Sequence, residues 1–325
     1  MSIKFKYLIP ILYTLIPLNV AAHGNSGQDH YQVAIIGDSL TQGTFSEAAL
    51  GEPVPGHYGS FFEGNLLLMA KLSFQNTLQN RTLGGQVMGD YFRETWLPNS
   101  YATNEEWGLK PHLEQQLDMP VNIDTHAVMG ATGASIQTQL DKLFASQKKY
   151  DLFIFFLGAN DYCSLAEITM ESFTEALKNG LSRVKARFPQ SRILVVDLPP
   201  IHKMDAAKHA NGESVDHTPI DYSELLQGGG LASSIAGLGL LPQTCKAYKQ
   251  SECPYLDLDP DQENTVKRFN EKVRTAASEF TNIEHLSIPN DLEISAEDLA
   301  FDCFHPSIRM QQRFIDFFKF NSKLY

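Results

Sequence analysis

Four short blocks of this chain carry side chains suited to moving an acyl group through a serine. The first, Gly37-Asp38-Ser39-Leu40, closes the apolar run at 31–37. A serine hydroxyl is a poor nucleophile until a positioned base takes its proton and an acid orients that base. Near the C-terminus, Asp302 and His305 offer a carboxylate and an imidazole three residues apart, on a segment short enough to turn one toward the other. An oxyanion developing on the substrate also needs preorganised donors. Asn160, in Gly158-Ala159-Asn160-Asp161, offers an amide, and Gly130, after the apolar Ala127-Val128-Met129, offers a backbone N–H that no side chain screens.

Taken singly, each block also reads as ordinary structure. Gly-Asp-Ser is good turn and helix-capping material, a lone Asp-x-x-His occurs on many surfaces, and Asn160 and Gly130 suit plain strand-to-loop turns. Gly133 shares a block with Gly130, so the donor glycine is open between them; Gly130 is preferred as the first after the apolar run. Asp161 is read as structural, bonding to nearby backbone groups rather than serving as the orienting acid.

The elements around these blocks place all four at strand ends. Near-continuous apolar runs at 31–37, 151–158 and 192–199 suit strands of a parallel sheet covered on both faces, and 282–289 reads as a further strand. Helical patterns at 135–146, 171–188, 261–280 and 306–321 alternate with them, Pro306 sitting in the first turn of the last. This alternation predicts an α/β fold, and in an open α/β sheet ligands bind at the carboxyl ends of the strands. Two stretches break the pattern, at about 44–121 and 202–255. Such long excursions often serve as lids or binding loops. Within them, 66–69 reads as core helix, while the glycine-rich 225–241 reads as a mobile, weakly apolar cover.

The chain has 325 residues, 43% of them hydrophobic, enough for a sizeable core. Lys4 and Lys6 precede an apolar stretch at 7–18, which Pro10 and Pro17 interrupt, and small residues follow at 20–22. This is read as a signal peptide over 1–22 with a single domain at 23–325, hence an exported protein, periplasmic or secreted. The apolar stretch is shorter than the roughly 20 residues that a spanning helix needs. Its removal discards two lysines and no acids, taking the net charge from −12 to −14. Such a balance excludes nucleic acid as a partner. It also disfavours tight docking on anionic lipid, while leaving transient contact with a membrane surface through an apolar patch. The four cysteines, Cys163, Cys245, Cys253 and Cys303, suit two disulfides in an oxidising compartment. No Cys-x-x-Cys and no His-Glu-x-x-His occurs, so no metal site is expected.

Together the blocks resemble the GDSL, or SGNH, hydrolase superfamily, in a pattern that spans nearly the whole expected mature chain, from Gly37 to His305. The resemblance implies a three-layer αβα sandwich around a mainly parallel sheet, and a serine esterase mechanism with no cofactor and no metal. It assigns Ser39 as nucleophile, His305 as general base and Asp302 as the acid orienting it. The oxyanion hole is then the backbone N–H of Ser39, that of Gly130, and the Asn160 side chain. The cysteines after the Asn160 block and inside the His305 block, with the Cys245–Cys253 segment, are similar to phospholipase B-like lipases and, more loosely, to acyloxyacyl hydrolase. Spacing suggests pairing Cys245 with Cys253 and Cys163 with Cys303.

The expected activity is hydrolysis of a small-molecule or lipid ester, with phospholipid or lysophospholipid acyl esters preferred. A carbohydrate acetyl esterase or an acyltransferase would share the same residues. A non-catalytic lipid- or glycan-binding module would need none of them in combination.

Overall fold

The computed structural model describes residues 29–43, 46, 100–164, 170–220, 244–300 and 302–321. The elements run β1 (Tyr31–Gly37), α1 (Ser39–Gln42), α2 (Leu109–Leu117), β2 (Val121–Thr125), α3 (Ile136–Ala145), β3 (Leu152–Phe156), α4 (Ala159–Cys163) and α5 (Met170–Arg187). They continue with β4 (Arg192–Val196), α6 (His202–Asp205), α7 (Cys245–Glu252), α8 (Pro254–Leu258), α9 (Gln262–Ser278), β5 (Ile283–Leu286) and α10 (Ile308–Asn321).

The five strands are all parallel and lie in the order β2-β1-β3-β4-β5. Every residue of β3 is buried, as a central strand covered on both faces requires. Successive side chains point to opposite faces. Thus Phe155 meets α5 across Gly180, where an added Cβ would come 3.6 Å from the Phe155 ring. Phe156 turns the other way, to rings of Tyr101 and of Phe314 on α10 at 5.6 and 5.5 Å. Helices α3, α5 and α9 form one outer layer and α2 with α10 the other, giving the αβα sandwich.

The four strands expected from the sequence are present: β1 fills its run at 31–37, while β3, β4 and β5 are each shorter than the segments expected for them. Pro306 is not in the first turn of α10: it stands two residues ahead, bridged to Leu299, and Ser307 accepts the first helical hydrogen bond, from Gln311 N–H at 2.9 Å. The bridge holds Pro306 in extended backbone. Of the first long excursion, 100–121 contains α2 and the first residue of β2. The helix at 66–69, the cover at 225–241 and the leader at 1–22 lie outside the described residues.

The disulfides differ from the expected pairing. Cys163 bonds to Cys253, and Cys245 to Cys303. The physical reason is α7: Cys245 and Cys253 stand at its two ends, too far apart along a helix rising 1.5 Å per residue to meet each other. Each instead reaches a different neighbour, α4 on one side and the loop before α10 on the other.

Candidate active site

Between β1 and β3 the strand order changes direction, since β2 follows β1 on one side and β3 on the other. A crevice opens at the carboxyl ends of such a pair. Ser39 stands at the end of β1 and Asn160 at the end of β3, so the topology brings two of the sequence-derived residues to this crevice.

Ser39 is the first residue of α1, a single turn that begins one residue after the strand. Asp38 caps that turn: Oδ1 accepts from Leu40 N–H at 3.0 Å, and Oδ2 accepts from Gly158 N–H at 3.2 Å, tying the serine turn to the end of β3. Burial pushes the Asp38 carboxyl up to about 6, against the pull of its backbone donors and of His305. The Thr41 hydroxyl donates to Phe156 O at 2.8 Å. Gly37 must lack a side chain here, because a Cβ would lie 2.4 Å from Thr41 Oγ1. From α3, Gln139 clamps Gly37 by accepting from its N–H at 3.0 Å and donating to its carbonyl at 2.9 Å.

His305 and Asp302 share a tight loop. Leu299 bridges Pro306, Ala300 N–H donates to His305 O at 2.7 Å, and Cys303 takes a positive φ of 64° between the pair. The loop folds the carboxylate back onto the histidine: Asp302 Oδ2 lies 2.5 Å from His305 Nδ1, and Oδ1 accepts the backbone N–H groups of Phe304 and His305 at 3.1 and 2.9 Å. Both residues are buried. Burial disfavours the charged imidazole, yet the Asp302 charge and hydrogen bond, with smaller pulls from Glu252 and Asp38, hold His305 above its ordinary value.

Gln311 brings this loop to the serine turn. Its amide donates to Leu40 O at 3.0 Å and accepts from Tyr101 N–H at 3.0 Å, while Ile308 N–H donates to Ser46 O at 3.0 Å. The start of α10 is thereby fastened to α1, directly after the histidine loop. Asp38 and His305 are close enough for each charge to act on the other.

The oxyanion candidates meet from the other side. Asn160 Nδ2 donates to Ala131 O at 3.0 Å, next to Gly130, which holds φ 73° in a turn closed by Ala131 N–H on Val128 O at 3.0 Å. Gly133, the rival glycine, directs its N–H to both oxygens of Asp161 at 3.0 Å, and a Cβ on it would come 2.9 Å from the Phe173 ring. Its N–H is therefore engaged in structure, and Gly130 is the candidate donor of the two.

Sequence reasoning missed the clamps formed by Asp38, Gln139 and Gln311. Asp38 carried a local signal, as a preferred capping residue just before a turn. Gln311 acts on Leu40 from 271 positions away, and no local pattern announces that.

The profile of the GDSL-like lipase/acylhydrolase family matches residues 33–318, a span that includes every candidate residue above. No curated protein matches the chain. Similar solved structures include a catalytic mutant of an acetylxylan esterase from Geobacillus stearothermophilus, with 12% identity, 89% of this chain and 92% of that one covered, and a TM-score of 0.45. Another is the lipase/acylhydrolase from Enterococcus faecalis, with 14% identity, coverage of 88% and 92%, and a TM-score of 0.42. A psychrotrophic esterase from Pseudoalteromonas sp. is similar at 10% identity, with coverage of 89% and 94% and a TM-score of 0.42.

Proposed function

The chain belongs to the family of GDSL-like lipases and acylhydrolases, and on that premise we propose that it is an exported serine hydrolase cleaving acyl esters of phospholipids or lysophospholipids. The observation that carries the catalytic part is the buried Asp302–His305 pair, on a loop fastened by Gln311 to the turn that bears Ser39.

In this reading His305 takes the Ser39 proton as Oγ attacks the acyl carbon. Negative charge gathers on the former carbonyl oxygen, stabilised by the N–H groups of Ser39 and Gly130 and by the Asn160 amide. As the C–O bond to the alcohol breaks, His305 returns the proton to that leaving oxygen, and the acyl group stays on Ser39. A water, deprotonated by His305, then attacks the acyl carbon, and as the bond to Ser39 Oγ breaks His305 returns that proton to Oγ, releasing the carboxylic acid and restoring both residues. Asp302 keeps the imidazole in one tautomer and stabilises its charged form in both halves.

A lipid substrate is supported by the cysteine pattern resembling phospholipase B-like lipases. Export is supported by the leader-like segment at 1–22 and by two disulfides, which persist in oxidising compartments. The test is release of free fatty acid from mixed phospholipid vesicles by the protein lacking 1–22, with Ser39→Ala as control. Release by wild type alone supports the reading. Release by neither, with active turnover of acetylated glycans, would replace the lipid substrate and keep the mechanism.

A further inference from the structure

Asp161 is buried at the end of β3 beside Asn160, and the acyl-transfer steps above make no use of it. Its two oxygens converge on one donor, Gly133 N–H, at 3.0 Å each. Its neighbour Asn160 holds the same turn two residues earlier, donating to Ala131 O at 3.0 Å. Consecutive residues of α4 thus grip the 130–133 turn at a carbonyl and at an N–H. The far side of the turn has no slack either: Gly133 lies so close to Phe173 of α5 that a Cβ would come within 2.9 Å of its ring. A short 3₁₀ turn, Gly133–Ser135, begins there and runs directly into α3, anchored by Thr132 N–H on Ser135 Oγ at 3.2 Å.

We infer that Asp161 is a positioning residue of the oxyanion hole: its hydrogen bond to Gly133 fixes the turn that presents the Gly130 N–H, in register with the Asn160 amide. The inference rests on the serine-hydrolase reading above. Gly130 at φ 73° sits in a turn whose backbone could swing if its C-terminal side were free. A hole donor displaced by even a fraction of an ångström loses much of its worth in the transition state, because the benefit depends on donors fixed before charge develops. The acceptor need not be charged. Burial, with the nearby Asp38 charge, pushes the Asp161 carboxyl up to about 8, and a neutral acid still accepts through its carbonyl oxygen. An asparagine at 161 should therefore hold the turn where an alanine cannot.

The experiment compares Asp161→Ala, Asp161→Leu and Asp161→Asn for kcat and KM on a soluble aryl ester, alongside fluorophosphonate labelling of Ser39 and thermal unfolding. Leucine keeps roughly the volume of the side chain without its acceptor, which covers the case in which the alanine protein fails to fold. The expected result is a kcat about 10–100-fold lower in the folded Ala or Leu protein, with KM within about threefold and labelling slowed in parallel. Asparagine should recover most of that loss. Combining Asp161→Ala or Asp161→Leu with Asn160→Ala should cost less than the product of the two separate losses, because both act on one hole. A folded Ala or Leu protein with kcat within about threefold of wild type overturns the inference. So does an asparagine variant as slow as the one lacking an acceptor, or full additivity with Asn160→Ala. Wild type that neither turns over esters nor labels at Ser39 would instead defeat the serine-hydrolase reading beneath it.

Discussion

Asp302 binds His305 twice, through Oδ2 to the ring Nδ1 at 2.5 Å and through Oδ1 to the backbone N–H of the same residue at 2.9 Å. One carboxylate thus fixes both the position of the histidine's backbone and the tautomer of its ring, and in the proposed mechanism Nε2 is the nitrogen that exchanges the proton. Because the net effect of this environment is to raise the His305 pKa, the neutral base becomes available only above the ordinary histidine range. Activity should rise with pH through a midpoint above 6.5, the unperturbed value. Asp302→Asn removes the main raising influence, so the midpoint should move down while kcat falls. A pH profile of kcat/KM for both proteins checks this, and an unchanged or higher midpoint in the variant would contradict the assignment of Asp302.

Loss of the nucleophile and of the base should be more severe than loss of the acid. Ser39→Ala should abolish turnover, and His305→Ala should cost at least as much as Asp302→Asn, because a misoriented base still functions in part. Stopped assays over long incubation, with mass spectrometry for acylated Ser39, decide the order. Near wild-type turnover in Ser39→Ala would leave the mechanism without its nucleophile.

Asn160 differs from these three in what it touches. Its amide already gives one proton to Ala131 O, so one N–H remains for a substrate oxygen. Asn160→Ala should lower kcat by roughly 10²–10³, the usual loss for one oxyanion donor. KM for a small ester should change much less, since the interaction strengthens only as charge develops. A loss seen in KM alone would make Asn160 a ground-state contact instead.

The two disulfides meet at α7, and each fastens a different half of the site. Cys303 lies between Asp302 and His305, whereas Cys163 ends the helix that carries Asn160. Paired Cys→Ser replacement should destabilise by about 2–4 kcal/mol for either bridge, read from denaturant midpoints. Opening Cys245–Cys303 should depress kcat more, because it frees the loop between acid and base. Equal kcat losses from the two openings would argue against that, and non-reducing peptide mapping tests the connectivity directly.

Much of this layout was legible in the chain because buried parallel strands must be apolar throughout. The run at 152–156 could be little else, and Ser39 and Asn160 were located by their place just after such runs. Strand β2 was not legible in the same way. At the sheet edge, Val121–Thr125 mixes buried and exposed positions and carries Asn122 and Asp124, so no apolar run marks it. The strand expected to close at Gly130 differs in the structure: β2 ends at Thr125 and the apolar Ala127-Val128-Met129 is not strand, although His126 N–H and Val128 N–H still bond to Ile35 O and Gly37 O and carry the backbone alongside β1 almost to the turn. The disulfide pairing was not legible, because helix α7 sets it in three dimensions and spacing along the chain favours the wrong partners.

The carboxyl of Asp161, raised by burial to about 8 from an ordinary 3.8, also links stability to pH. A carboxyl raised in the folded state binds its proton more tightly there than in the unfolded chain. Its contribution to stability is therefore full below about pH 4 and is lost progressively as pH rises through about 8. Asparagine cannot ionise, so Asp161→Asn lacks this loss. Both proteins keep His305, whose own raised pKa adds a loss of stability on the alkaline side that cancels in the comparison. The melting temperature of the variant relative to wild type should climb between pH 5 and pH 9 by several degrees, given that about 1 kcal/mol moves the Tm of a large domain by roughly 2–4 °C. Melting curves at four or five pH values measure it. A difference that stays flat across this range would mean that Asp161 is ionised throughout, held by donors stronger than the Gly133 N–H.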